Sequence, residues 1–145
     1  MLCKHTHRAS PILKIMSVFV GTDIVHIPAF AEQLAMPGSH FAKVFSPLEL
    51  RLAAQKPQRE ESLAGKWAAK EAFVKAWSQS RFGQKPLLSQ IDWAQITVTN
   101  DAYGRTLIRL SKQLAQVSGI DQAQVSISHD GEYAMAVCVL ELAEH

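Results

Sequence analysis

Two rhythms of apolar and polar residues run along this chain, and together they predict its elements. Between Ser17 and Pro28 the run Val-Phe-Val-Gly-Thr-Asp-Ile-Val-His-Ile is rich in β-branched residues and too short for a helix, which predicts a buried strand. One acid, Asp23, stands in its middle. Residues 29 to 44 mix Ala, Phe and Leu around Pro37-Gly38, the pattern of short helical pieces split by a turn. Ser46-Pro47-Leu48-Glu49 reads as a capping box with Pro at the first helical position, so a helix starts here and runs to about Gln55, before Pro57. From about Arg59 to Ser78, Ala, Leu, Lys, Glu and Trp dominate without a proline, which predicts the longest helix, with Gly65 as its one weak point. Residues 79 to 92 carry Gly83, Pro86 and several Ser and Gln, and read as a loop. Ile96 to Asn100 and Thr106 to Leu110 read as strands joined in hairpin fashion by Asn100-Asp-Ala-Tyr-Gly104. Ser111 to Val117 reads as a short helix stopped by Gly119. Val125 to Ser128 and Tyr133 to Leu140 make a last strand pair around Asp130-Gly131. The order of strand, helices, then strands predicts an α+β domain, its mainly antiparallel sheet packed on one long helix and shorter ones.

Composition narrows the class. A length of 145 residues suits one domain. With 48% hydrophobic and 19% charged residues, against a usual charged share of about 25%, the chain builds a core rather than a disordered tail. Lys and Arg total 15 against 13 Asp and Glu, but Lys4, Arg8 and Lys14 lie in the first fifteen residues, which hold no acid; from Met16 onward 12 bases face 13 acids. That balance argues against a dedicated nucleic-acid binder. Cys3 and Cys138 are the only cysteines, so no disulfide framework is expected and a cytoplasmic protein fits. The longest apolar run, Ala134 to Leu140, has seven residues, far short of the ~20 that span a bilayer. The first residues have the basic start of a signal peptide, but Lys14 and Ser17 interrupt the apolar stretch after it and no small-residue cleavage site appears. Residues 1 to 15 therefore read as a tail, or as a start-site artefact if Met16 is the initiator, and 16 to 145 as a single domain.

Three places could carry chemistry. Asp23, a carboxylate within an apolar strand, must be neutralised, paired or bound to a metal; a structural Asp bonded to backbone amides is the plain alternative. In Lys66-Trp-Ala-Ala-Lys-Glu-Ala-Phe-Val-Lys75, helical spacing puts Glu71 and Lys75 on one row and Lys66 and Lys70 on a neighbouring one. One carboxylate is then ringed by three cations, although Glu71 and Lys75 also fit an ordinary surface pair. In Ser126-Ile-Ser-His-Asp130, His129 sits at the mouth of a hairpin. A hydrolase reading of these serines is weak, because no G-x-S-x-G elbow is present and strand neighbours Ser128 and His129 point to opposite faces. A solvent-facing turn histidine is the alternative. Tyr103-Gly104-Arg105 adds a flexible backbone and a cation at a hairpin end, and His5, His7, His40 and His145 show no ligand spacing. Carboxylates together with substrate phosphate oxygens are a common way to hold Mg²⁺, and the surrounding cations match a polyanionic ligand.

Four segments, Gly21-Thr-Asp-Ile-Val25, Ala64-Gly-Lys-Trp-Ala-Ala-Lys-Glu-Ala-Phe-Val-Lys-Ala76, Asn100-Asp-Ala-Tyr-Gly-Arg105 and Val125-Ser-Ile-Ser-His129 followed by Tyr133-Ala134, occur in the order and spacing that resembles the holo-acyl-carrier-protein synthase family of 4′-phosphopantetheinyl transferases. The likeness covers nearly everything from Val20 to Glu141, and Trp77-Ser-Gln79 and Asp92-Trp93 look like its actinobacterial branch. The resemblance implies transfer of the phosphopantetheine arm of coenzyme A to a serine of an apo acyl carrier protein, or of a synthase carrier domain, with release of adenosine 3′,5′-bisphosphate. It further implies Mg²⁺ held by Asp23 and Glu71, Lys75 at the pyrophosphate, and Lys66, Lys70, Gly104, Arg105 and His129 on coenzyme A phosphates. A homotrimer with sites between subunits is implied as well, with neither nucleic acid nor membrane as partner.

The chain departs from the family pattern in places. His26 and Ala29 stand where an acid and a carrier-contacting Arg are common, Thr106 follows Gly104-Arg105 where Pro is usual, Lys66 replaces an Arg, Trp67 a Phe, and Trp77-Ser78-Gln79 a Gly-Thr-Gly segment. Two rival readings of the same residues are a metal-dependent phosphohydrolase and a non-catalytic module that binds coenzyme A or the carrier.

Overall fold

The computed structural model describes residues 15 to 144; the expected tail, Ile15 apart, lies outside the described residues, as do Cys3, His5, His7 and His145. Strands β1 (Met16–His26), β2 (Ile96–Asn100), β3 (Thr106–Leu110), β4 (Gln122–Asp130) and β5 (Tyr133–Ala143) form one antiparallel sheet. Its order is β1-β5-β4-β3-β2. The helices are α1 (Ile27–Ala35), α2 (Pro47–Ala54), α3 (Arg59–Ser80) and α4 (Lys112–Ser118), with single 3-10 turns at Phe41–Val44 and Trp93–Gln95. The α+β class expected from the sequence is what the chain adopts, and no helix among the described residues is long and apolar enough to cross a membrane.

Local signals start and stop these elements as their chemistry requires. The box at α2 closes in both directions: Ser46 Oγ accepts from the Glu49 amide at 3.2 Å, and Glu49 Oε1 accepts from the Ser46 amide at 2.9 Å. Ser111 Oγ accepts from the Leu114 amide and starts α4, which ends at Gly119. The long helix α3 lies across one face of the sheet and buries Leu63 and Phe73 with a stripe of alanines, Ala64, Ala68, Ala69, Ala72 and Ala76. Burying side chains such as Leu63 and Phe73 contributes about 1.5–3 kcal/mol each, and the small alanines let the strands come close. At Gly21 the approach leaves no room for a side chain, since a Cβ there would lie 1.8 Å from the Ala72 carbonyl oxygen. Gly65, the expected weak point of α3, is likewise a contact: its missing Cβ makes space for Ile127 and His129 of β4.

One expectation about β1 is corrected. It is an edge strand, paired only with β5 from Met16↔Ala143 to His26↔Tyr133, and only one of its faces is covered. Val18, Val20 and Ile24 point away from α3 and are 47% to 65% exposed, beside Met135 of β5. The unbroken β-branched run suggested burial on both sides, whereas within one chain α3 covers only the Phe19, Gly21, Asp23 and Val25 side.

Candidate active site

Where α3 passes the edge of β1, two carboxylates meet. Asp23 faces the helix and its side chain is only 11% exposed. Its Oδ1 accepts from Lys75 Nζ at 3.0 Å, while Oδ2 is buried with no hydrogen-bond partner. Lys75 Nζ also donates to the Thr22 carbonyl at 3.0 Å. The neighbouring Glu71 carboxyl is pushed up to about 8, first by burial and then by the Asp23 carboxylate beside it, with Lys75 opposing. Two close carboxylates resist joint ionisation, and a cation placed between them removes that conflict. Among the described residues no cluster of three or more His, Cys, Asp or Glu forms a closed metal cage. A hard oxygen pair with open positions fits Mg²⁺, which takes one or two carboxylates and completes its shell with phosphate oxygens and water. The orphaned Oδ2 passes this test of fit.

A second feature is a cleft of about 200 Å³ between the first half of α3, β4 and the β2–β3 hairpin. Lys56, Ser62, Gly65, Lys66, Val98, Asn100, Gly104, Thr106, Ile127 and His129 line it. Lys66 is 96% buried yet bonds to no described residue, and burial pushes its ammonium down while Glu49 pulls it back up. The side chain is buried along its length but its ammonium is not sealed off and opens onto the cleft, where an anion can meet it. His129 Nε2 lies 3.1 Å from the Glu61 carbonyl oxygen, to which it donates because a carbonyl only accepts. Gly104 takes a left-handed φ of 79° and has open space beside it.

The structure thus brings Asp23, Glu71 and Lys75 together, and separately Lys66, Gly104 and His129. It does not leave Lys70 free for a ligand. That ammonium is fully buried and donates to Glu49 Oε1 at 2.7 Å, the Val44 carbonyl at 2.6 Å and the Trp93 carbonyl at 3.1 Å. All three of its protons are used, so the expected phosphate contact is corrected to a structural one. The ring of three cations about Glu71 is corrected with it, because Lys75 alone offsets that carboxylate. Arg105 does not line the cleft; its Nε meets Asp101 Oδ2 at 2.5 Å and its guanidinium lies over the Tyr103 ring. Sequence reading missed Lys56, Ser62 and Asn100 in the cleft, and Glu49. In the sequence Glu49 reads only as a cap, whereas its Oε2 also accepts from the Val98 amide at 3.1 Å. A cap acid followed by a mid-helix lysine was the available signal.

Residues 19–138 match the model of the 4′-phosphopantetheinyl transferase superfamily. The chain belongs to that superfamily. It is 50% identical over 133 residues to the holo-[acyl-carrier-protein] synthase of Corynebacterium glutamicum, covering 86% of this chain and 98% of that one. With the holo-[acyl-carrier-protein] synthase of Mycobacterium tuberculosis it shares 45% identity over 125 residues, 86% of this chain and 96% of the relative. Among solved structures, the Chronobacterium ammoniagenes ACPS-CoA complex superposes with a TM-score of 0.81 at 46% identity, over 89% of this chain and 99% of that one. The resemblance to the synthase family and to its actinobacterial branch is therefore borne out.

Proposed function

We propose that this phosphopantetheinyl transferase works with a metal half, Asp23 and Glu71, and an anion half, Lys66, Gly104 and His129. It is a holo-acyl-carrier-protein synthase: it moves the 4′-phosphopantetheine arm of coenzyme A to a serine of an apo acyl carrier protein and releases adenosine 3′,5′-bisphosphate. The serine oxygen bonds to the phosphorus bearing the arm, the pyrophosphate P–O bond breaks with its electron pair leaving on the bisphosphate, and the serine proton is lost. The nucleophile belongs to the partner, so this chain needs none of its own.

The observation that carries the metal assignment is the unpartnered, buried Oδ2 of Asp23 beside a second, half-buried carboxyl, that of Glu71. Mg²⁺ bound there would polarise the phosphoryl oxygens and lower the pKa of a bound water or of the attacking serine. Lys75, its side chain 57% exposed, turns from Thr22 and Asp23 to the leaving phosphate, which it neutralises or protonates. Lys66 and His129 hold coenzyme A phosphates, and Gly104 lets its backbone approach them. Arg105 joins them only by leaving Asp101.

Within one chain the two halves are apart. The cleft is lined by none of Asp23, Glu71 and Lys75, and at 100° per residue Glu71 is turned about 140° round α3 from Lys66. A homotrimer with sites between subunits joins the metal half of one copy to the anion half of another, and the bare apolar face of β1 and β5 gives the copies a contact surface. The reaction is placed in the cytoplasm, with a free carrier protein or a synthase carrier domain as acceptor.

The test is intact-mass spectrometry of apo acyl carrier protein, and of an excised synthase carrier domain, incubated with this protein, coenzyme A and Mg²⁺, with an EDTA control. A gain of one phosphopantetheine arm only with metal is expected. Coenzyme A consumed without any carrier points instead to a phosphohydrolase, and coenzyme A bound but intact on every carrier points to a binding module.

A further inference from the structure

The free edge of β1 is held by side chains of α3 rather than by another strand. Glu71, Lys75 and Gln79 follow one another at intervals of four, so they share a row along the helix. Lys75 Nζ donates to the Thr22 carbonyl and to Asp23 Oδ1, both at 3.0 Å. One turn further on, Gln79 Oε1 accepts from the Val20 amide at 3.1 Å. Between these two clamps Gly21 rests on the Ala72 carbonyl so closely that no Cβ fits. The backbone stretch from Val20 to Asp23 is thus seated on α3 by one polar clamp on either side of a close contact, and Asp23 is its last residue.

The two clamps differ in what else they must do. Lys75 is charged and largely exposed, and its role at the leaving phosphate requires it to let go of Thr22 and Asp23. Gln79 is neutral, and its bond to Val20 survives that movement. We propose that Gln79 is a positioning residue: it keeps β1 seated on α3, and so keeps Asp23 beside Glu71, while Lys75 is engaged with phosphate. The inference rests on the reading of Asp23 and Glu71 as the metal pair. A lone side-chain bond to an edge amide is worth little to a fold of this size, but here it fixes the separation of two ligands for one small cation, which tolerates little error in geometry.

Three variants of the full chain test it: Gln79→Ala removes the acceptor, Gln79→Glu restores one, and Asp23→Asn removes a ligand. Because Lys75 holds Thr22 and Asp23 until phosphate draws it off, two measurements are made without coenzyme A in a Lys75→Ala background that removes this clamp, namely Mn²⁺ binding by electron paramagnetic resonance and hydrogen exchange at the Val20 amide by NMR, alongside the melting temperature. Gln79→Ala is expected to weaken Mn²⁺ binding roughly 3- to 10-fold, the scale of one neutral hydrogen bond, and to speed Val20 exchange by a similar factor. Gln79→Glu is expected to recover both. A lower melting temperature with unchanged Mn²⁺ affinity makes Gln79 merely structural and overturns the positioning role while leaving the metal pair standing. If the wild-type protein takes up no Mn²⁺, or takes up as much after Asp23→Asn, the metal pair itself is overturned and this inference falls with it.

Discussion

Lys70 and Glu71 are neighbours on α3, and each belongs to a pairing of lysine with carboxylate, yet the two pairings have opposite characters. Lys70 and Glu49 are both buried, and between them they satisfy two carbonyls and two backbone amides, binding α2, α3 and β2 into one unit. Glu71, Asp23 and Lys75 are left incomplete: one carboxylate oxygen has no donor, burial and the Asp23 charge oppose ionisation of the other carboxyl, and the lysine is exposed. A complete network gains nothing from a ligand. An incomplete one is stabilised by whatever supplies the missing charge, and this separates a structural ion pair from a binding site more reliably than residue type does.

The sharpest way to break the comparison is to neutralise each side in turn. Asp23→Asn or Glu71→Gln should lower transfer at least about a thousandfold, matching the several kcal/mol of charge stabilisation a metal supplies, with the circular dichroism spectrum and melting temperature retained. Normal turnover in either variant would remove the metal assignment. Glu49→Gln should do the reverse. Leaving Lys70 buried without its counter-charge costs about 3–5 kcal/mol of stability, read as a lower denaturant midpoint, whereas kcat per folded molecule changes little. If Glu49→Gln is as stable as wild type, the pair is not the structural unit described.

A pH series sharpens the same contrast. In metal-free protein the Glu71 carboxyl, raised from 4.5 to about 8, stays protonated over a range in which the unfolded chain has ionised it. This contribution to stability is fully present below the unfolded value and is lost as pH rises through the folded one. The melting temperature in EDTA should therefore fall between about pH 5 and about pH 8, and saturating Mg²⁺ or the Glu71→Gln change should flatten the fall. A slope in EDTA that neither alters would assign it to another group. The smallest effect is expected at the cleft: His129→Ala should raise the KM for coenzyme A roughly 2- to 10-fold with kcat nearly unchanged, as for one lost hydrogen bond. An unchanged KM would take His129 out of the anion half.

The sequence by itself determined what depends on neighbours along the chain. The capping box of α2, the uninterrupted α3, the hairpin from β2 to β3 and the stop at Gly119 all arise from spacings of a few residues, and the four motif segments carried the family and the acids Asp23 and Glu71 with it. The tertiary structure decided what depends on partners far apart. The family motif implies a phosphate contact for Lys70; its engagement rests instead on Glu49, Val44 and Trp93, 21 to 26 residues away. Gln79 stands out in the sequence only as part of Trp77-Ser78-Gln79, and its partner is illegible there because the bond joins residues separated by 59 positions. The bare face of β1 was illegible for a related reason: alternation reports which residues share a face, but whether a face is covered depends on which elements pack there. Helix periodicity and capping are local free energies, written in adjacent residues, whereas the desolvation that turns one lysine into a structural strut and leaves its neighbour's carboxylate open is set only when distant segments exclude water together.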